Sequence, residues 1–510
     1  MATLLLLDTR AWLLIRNTAL LSGGAVLIAV PTGAILAFLL LRTNLTGRAA
    51  LLVLFGSMLF VPLYLQAAGW DAGFGKQGWY SFAHGSVSTP ILDGWQAAIW
   101  IHGVAAIPWV LLISGTGLWL VEPELEEAAI LDTSSLNVFL SVTVSRMLPF
   151  LSAAALWIFV TVGTEMTVSD LYQVRTFAEE IYIDVPFAGT INTLEPKRPT
   201  GISTALIVSS FVALTLLLVS RLVPPEHFPS YARRRVFSLG RRHWLITWGI
   251  AALVLVLIGV PMLNVAYKAG LIVEQVGSQR LRHWSPASFL QIVVGSPQQF
   301  REEHGWTLLI ASLAATASLV LGALLGWSAR RGRLRALPAV AITAICLGIP
   351  GPMIGLSVIW LLNRDGSDLL VWLYDRTIFA PWLAMLIKAL PISIMMMWYA
   401  FRTISDELLE HASSEGAGRV TRFLRFGLAF RWRPAAATWL AAFAIASGDL
   451  AASILVVPPG ITTIPVRVFG LLHSGVDDQV AGICLTTVWG FAAIGGLLLW
   501  LLRPAQRRLG

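Results

Sequence analysis

Apolar residues dominate eleven windows of the chain, at 18–41, 49–68, 95–120, 148–168, 201–221, 244–268, 304–327, 337–362, 378–400, 434–456 and 478–502. Each approaches or exceeds the roughly twenty residues that carry a helix across a hydrocarbon core of about 30 Å. The polar stretches between them are short, and none is long enough to form a separate soluble domain. The pattern predicts an all-α polytopic membrane protein of about 11 transmembrane helices. Pro31, Pro62, Pro108, Pro350, Pro352 and Pro391 fall inside these windows. Kinks are expected there, because neighbouring membrane helices can satisfy the carbonyls that a proline frees.

Composition supports this reading. The 510 residues are 56% hydrophobic and only 13% charged, against about 25% charged in soluble domains. That leaves too little polar surface to coat several globular cores. The net charge of +8 is therefore a question of sidedness, and no nucleic-acid partner is expected. With the carboxyl terminus inside, the cytoplasmic segments hold 22 Arg and Lys residues and the outer segments 13, as the concentration of basic residues on the cytoplasmic side requires. The clusters between Tyr231 and His243 and at 329–335 dominate the count. The amino terminus has no basic leader and its apolar run is cut by Asp8, so no cleaved signal peptide is expected. Cys346 and Cys484 lie within apolar runs and read as buried thiols, without a disulfide or metal role.

The chain also repeats itself. Residues 17–48 resemble 306–333, and ELEEAA at 124–129 resembles ELLEHA at 407–412. An offset of 284 carries Glu126 onto Glu410 and Glu165 onto Asp449, and Pro108 to Pro391 is 283. Each copy has five helices, and the extra span at 244–268 restores the orientation of the second copy. The expected organisation is a first repeat at 1–221, a basic linker with a connecting helix at 222–268, and a second repeat at 269–510. The two repeats are parallel, unlike the inverted repeats of many secondary transporters.

Both acidic stretches lie in long cytoplasmic loops, at 122–147 and 401–433. Each loop opens with carboxylates (Glu122, Glu124, Glu126, Glu127; Asp406, Glu407, Glu410, Glu415), continues with small residues and closes near a proline, Pro149 or Pro434. Acids at a helix start complement its dipole, and small residues keep one face shallow enough to enter a groove of another protein. A short exposed docking helix is expected in each loop.

These loops resemble the signature of the membrane component of binding-protein-dependent ABC importers: EAA, three residues, Gly, nine residues, then a hydrophobic residue and LP. In the second copy Glu410, Ala412 and Gly416 match, with His411 in place of the first alanine and Ala429 in place of proline. The first copy keeps Glu127, Ala128 and Ala129 but has Thr133 at the glycine position. Counting from Glu126 instead fits Val142 and Pro149 if one residue is deleted within the loop. Two fused copies are typical of iron(III) and thiamine permeases. SDLYQVRTFAEEIY at 169–182 and PPGITTIPVRVFGLLHSG at 458–475 look like the iron(III) type.

The resemblance implies a multi-pass protein of a bacterial inner membrane that moves iron(III), or alternatively thiamine or a polyamine, delivered by an extracytoplasmic binding protein. It further implies two cytoplasmic ATPase subunits, one per docking loop, with Glu126, Glu127, Ala128, Ala129, Glu410, Ala412 and Gly416 at the contacts. ATP would bind those partners, and no cofactor is expected on this chain. A different class remains open, a secondary transporter driven by an ion gradient.

No enzymatic motif contradicts a transport role. WDAGFGKQ at 70–77 lacks the first glycine and the Ser or Thr of a P-loop, and LSGG at 21–24 lies in a span. No catalytic constellation and no metal site are expected. Ionisable groups within spans are costly and point to function. Glu165 and Asp449 are the candidates for the translocation path, where the pair could attract a cation; the alternative is a capping role. Lys388 is expected to pair with an acid on another helix. Tyr172, Tyr182, Glu179, Glu180 and His473 have iron-ligating chemistry but read as ordinary loop residues.

Overall fold

The computed structural model describes residues 9–83, 90–121, 123–187, 237–240, 243–276, 279–364 and 366–502. The expected span at 201–221, most of the basic linker, Glu122 and the tail from 503 lie outside the described residues. Seven continuous helices are long and apolar enough to cross a membrane, and two bent helix pairs bring the total to nine among the described residues. The protein is a helical, multi-pass membrane protein.

By packing, the chain divides into two compact units. The first contains the chain up to Glu180, the segment ending at Gln299, and Gly470–Trp489. Its long helix α1 (Thr9–Arg42) is followed by α2 (Arg48–Met58) and α3 (Leu63–Phe74), with a short α4 at Trp79–Ala83. Next come α5 (Gly94–Leu120), the loop helices α6 (Pro123–Asp132) and α7 (Ser135–Val138), then α8 (Ser145–Gly163), α9 (Thr167–Leu171) and the start of α10 (Phe177–Phe187), which leaves this unit after Glu180. The connecting span runs from His243 to Ala269 as α11 (His243–Val254) and α12 (Val260–Ala269) around a wide turn at Leu255–Gly259. An antiparallel hairpin of β1 (Leu271–Val276) and β2 (Gln279–Trp284), pairing Leu271 with Trp284, is a departure from helix that the sequence pattern did not suggest. Helix α13 (Pro286–Gln299) ends this part.

The second unit is centred on Phe300–Phe469. It contains α14 (Arg301–Ala329), α15 (Arg333–Gly348), α16 (Gly351–Leu362), α17 (Asp368–Arg376), α18 (Phe379–Arg402), the loop helices α19 (Asp406–Ser414) and α20 (Arg419–Thr421), then α21 (Trp432–Gly448) and the start of α22 (Ile464–Ser474), which leaves this unit after Phe469. The last helix, α23, spans Asp477–Leu502.

The same internal plan appears in both units. In the first, α1 packs on α5 and α8; in the second, α14 packs on α18 and α21. Lipid tails offer no hydrophobic drive for such association, so close backbone approach at small residues supplies it. Gly33 provides this on α1, where a Cβ would stand 2.5 Å from Val110 Cβ. On α14 it is Gly322, where a Cβ would stand 2.7 Å from the Ser393 backbone. Val110 and Ser393 are 283 apart, so the two crossings occur at equivalent points.

Proline does more here than kink. The pair α2 and α3 is bent by 101° and the pair α15 and α16 by 106°. Pro62 and Pro350 occupy the two breaks in nearly identical extended conformations, φ −56° with ψ 146° and 145°. By contrast, Pro108 and Pro391 lie within the continuous helices α5 and α18. The expected span at 434–456 is also interrupted: α21 stops at Gly448 and a series of turns follows.

Candidate coupling loops and intramembrane carboxylates

The first acidic loop starts with α6, whose first turn carries Glu124 and Glu126. Glu124, Glu127 and Ala128 are exposed. Glu126 faces inward: it is fully buried, and its carboxylate is paired with the equally buried Arg42 at the end of α1. Thr143 Oγ1 donates to Glu126 Oε1 at 2.7 Å, and Arg42 Nη1 donates to the Leu118 carbonyl at 3.2 Å. The sequence grouped Glu126 with the docking face; the structure makes it a strut that joins α6 to α1, α5 and the wide turn at Phe139–Val144.

The second loop reaches the same shape by other means. In α19, Glu407, Glu410 and His411 are exposed while Leu409 and Ala412 are buried. Leu409 joins an apolar cluster with Ala323, Met397, Phe401 and Ile404. The alternation of buried and exposed positions matches Glu126 to Leu409 and Glu127 to Glu410, an offset of 283. This corrects the pairing of Glu126 with Glu410. Beyond the helices the offset is 284, since Phe139 lies 4.5 Å from Phe38 and Phe423 lies 5.6 Å from Trp327, ring centre to ring centre, at the same place in each unit. The missing residue therefore falls between α6 and α7, at the end of the docking helix.

That end differs for a physical reason. Gly416 adopts φ +87°, and the Ala417 and Gly416 amides donate to the Ala412 and Ser413 carbonyls at 2.9 and 3.0 Å. This left-handed closure satisfies the last carbonyls of α19 and favours glycine. In the first loop Thr133 donates its amide to Ala129 at 3.1 Å, and α7 starts at Ser135 with no left-handed residue between. The glycine is absent where the turn that requires it is absent. Both loops then widen into π-helical turns, at Phe139–Val144 and Arg422–Ala429, a rare geometry frequent at functional sites. Arg330 adds a second tether in the second unit, bonding Asp406 at 2.5 Å and lying over the Trp327 ring at 4.9 Å.

The two carboxylates expected within spans, Glu165 and Asp449, sit where the helix following each loop breaks. Glu165 accepts from the Thr167 amide at 2.6 Å and the Val168 amide at 3.1 Å, capping α9. Asp449 Oδ1 accepts from the Ala452 amide at 2.8 Å. Glu165 thus caps a helix, whereas Asp449 holds the first of a series of turns. Each carboxylate also faces a basic group from the central helix of its own unit: His102 Nε2 is 3.7 Å from Glu165, and Lys388 Nζ is 3.5 Å from Asp449. Under the 283 offset His102 corresponds to Met385, one turn from Lys388, so both bases lie on one helix face. The expected partner for Lys388 is therefore Asp449.

In each unit the helix after the break is fixed to the start of the first long helix, α1 or α14. Thr18 Oγ1 accepts from the Phe177 amide at 3.1 Å, and Thr307 Oγ1 from the Ile464 amide at 2.9 Å. Ion pairs reinforce both contacts with opposite polarity. In the first unit Arg10 pairs with Glu180; in the second Glu303 accepts from Arg467 at 2.8 and 2.6 Å. Sequence comparison missed this reversal because a swapped pair does not look like a repeat.

The residues with iron-ligating chemistry are used in these contacts. Tyr172 is buried with its hydroxyl 3.5 Å from Asp71; burial, then the Asp71 charge, push its phenol well above the ordinary range. Tyr182 packs edge-on against Phe469, Glu179 and Glu180 face Arg175, and His473 lies 3.2 Å from Asp170. Among the described residues no group of three or more His, Cys, Asp or Glu could hold a metal.

No family model matches the chain. It is similar to the putrescine transport system permease protein PotI of Escherichia coli strain K12, with 30% identity over 210 residues, 40% of this chain and 74% of that protein. The same figures hold for PotI of E. coli O6:H1. Thirty percent identity over three-quarters of such a permease, on a multi-pass helical chain, places the protein in the family of ABC transporter permeases.

Proposed function

We propose that this chain is the transmembrane subunit of an ATP-driven importer of a bacterial inner membrane, with its two repeats fused and both docking loops on the cytoplasmic side. The observation that carries this reading is the pair of short loop helices with the same exposed acid, Glu127 and Glu410, each tethered beneath to the first and third long helices of its unit. Two such helices imply two ATPase subunits. The external face, where the helices after the breaks meet the starts of α1 and α14, would receive a solute-loaded binding protein. No nucleotide binds this chain in the proposal, and it catalyses no reaction itself.

For the solute, two readings have support. The stretches at 169–182 and 458–475 favour iron(III); the similarity to a putrescine permease favours a polyamine. Both are cations, as Glu165 and Asp449 in the spans would attract.

The test is co-purification of the full chain with its ATPase, followed by ATP turnover in nanodiscs. Glu127→Lys or Glu410→Lys is expected to weaken association at least tenfold, and the double variant to abolish it, without lowering thermal stability. Unchanged association in the double variant refutes the docking assignment. Uptake that persists without ATP in vesicles carrying a proton gradient refutes the ABC reading in favour of a secondary transporter.

A further inference from the structure

We infer that Arg331, Arg335, Arg419 and Arg422 form a site for the phosphate headgroup of an anionic phospholipid at one membrane boundary of the second unit. The site requires only that the protein spans a bilayer, so it stands or falls apart from the importer reading.

Arg331 holds a particular place in the repeat. Thr18 and Thr307, Gly33 and Gly322, and Phe38 and Trp327 are equivalent points of α1 and α14, and each pair is 289 apart. The same offset carries Arg42 onto Arg331. In the first unit Arg42 is buried and Glu126 neutralises it. In the second, Leu409 takes the place of that carboxylate, inside an apolar cluster. A guanidinium buried there would lose its hydration without gaining a partner, and Arg331 is exposed instead.

Turned outward, Arg331 meets other cations. Arg335 lies in the first turn of α15, while Arg419 and Arg422 come from α20 and the π-helical turn after it. That turn is held against α14 by Phe423, whose ring centre is 5.6 Å from that of Trp327, and by Gly427, where a Cβ would stand 3.1 Å from the same indole. Burial, then the charges of Arg335, Arg330, Arg422 and Arg419, lower the Arg331 guanidinium from its ordinary value. Of these five arginines, Arg330 alone has an acid partner among the described residues, Asp406. Arg422 Nε is also buried without a hydrogen-bond partner. Like charges gathered this closely repel, and an anion shared between them offsets the repulsion. Phosphate suits the role, since a planar guanidinium donates to two of its oxygens at once. No side chain caps the start of α15, so its amides add positive potential beside Arg331. Under the 284 offset that aligns the π-helical turns, Arg419 and Arg422 correspond to Ser135 and Val138. The unit that keeps an internal carboxylate therefore lacks these cations.

The apolar residues among the arginines make a lipid the source of the phosphate. Leu334 and Val420, each next in sequence to an arginine, are 82% and 69% exposed, and Leu337 and Leu424 are exposed as well. A soluble anion has no use for them, whereas acyl chains cover them alongside α15, which is one arm of a bent span. Basic side chains at the ends of membrane helices hold anionic headgroups in this way. The ATPase proposed for the second loop would instead seat on Glu407 and Glu410, exposed groups of the opposite charge.

The experiment is native mass spectrometry of the full-length protein in detergent, titrated with phosphatidylglycerol or with phosphatidylcholine of the same acyl chains. One phosphatidylglycerol is expected to bind at least about tenfold more tightly than phosphatidylcholine. Arg331→Gln and Arg422→Gln should each weaken it about fivefold, and the two together at least about twentyfold, as the loss of one surface charge apiece implies. Arg331→Lys keeps the charge and should stay within about threefold of wild type, so that a loss in Arg331→Gln reports charge and not folding. Arg364→Gln with Arg376→Gln, which removes as much charge near the start of α18, should change affinity by less than about twofold. Equal weakening by the two double variants would show a general attraction to the whole protein and refute the site. Equal affinity for the two lipids refutes it too. Displacement of phosphatidylglycerol by millimolar inorganic phosphate, or by the purified ATPase, overturns the lipid assignment and gives the cluster to a free anion or to the partner protein.

Discussion

The buried Arg42–Glu126 pair gives the sharpest prediction. Arg42 is 1% exposed and Glu126 0%, so neither charge can recover hydration when its partner is removed. Glu126→Ala leaves a guanidinium facing a void, and Arg42→Leu leaves a carboxylate with Thr143 as its remaining donor. Breaking one side of such a pair costs about 3–5 kcal/mol, whereas replacing both with apolar groups is often neutral or stabilising. The second unit supports the latter outcome, since its corresponding helix uses Leu409 in an apolar cluster. Glu126→Leu combined with Arg42→Leu should therefore recover most of the stability that either single change loses. Intrinsic tryptophan fluorescence during heating in detergent is the assay. With about 2–4 °C per kcal/mol for domains of 150–250 residues, each single variant should melt at least roughly 6 °C below wild type. A single variant within 1 °C of wild type, or a double variant less stable than both singles, refutes the argument.

Three further outcomes follow from the same geometry. Glu303→Arg should lower stability by an amount on the order of 1 kcal/mol, because Arg467 is nearly half exposed. Adding Arg467→Glu should restore it, and failure of the swapped pair to recover would show that the contact is incidental. Gly33→Ala and Gly322→Ala each place a Cβ within 2.7 Å of a neighbouring helix, an overpacking cost of about 1–3 kcal/mol; melting points equal to wild type would exclude close helix approach there. Tyr172, whose pKa is raised in the folded protein, remains protonated where the unfolded phenol ionises near pH 10. Stability should therefore fall as pH rises past that point, and Tyr172→Phe should reduce the slope. An unchanged slope would show that the phenol is not buried.

Much of this protein can be read from residue order. A run of apolar residues has few options in a bilayer, because every backbone polar group must be satisfied within its own helix, so the helical multi-pass class follows from hydrophobicity alone. The repeat was visible because equivalent positions in two copies face similar surroundings: Pro108 and Pro391, and Glu165 and Asp449, stand at matching offsets in the sequence. That Lys388 pairs with an acid was also expected, since a lone charge in a span requires an opposite one, but which acid was not.

What residue order could not decide was direction and depth. Glu126 and Glu127 are adjacent acids with the same chemistry, but on a helix they point about 100° apart, and only the packing of α6 beneath α1 turned one inward. The same packing moved the repeat register by one residue and placed the missing residue at a turn that no longer needs glycine. The right-angle breaks at Pro62 and Pro350 and the reversed ion pairs depend on groups far apart in the chain. Hydrophobicity is a property of each segment and can be summed along the sequence; the pairing of buried charges depends on which segments meet, and that was fixed only by the tertiary structure.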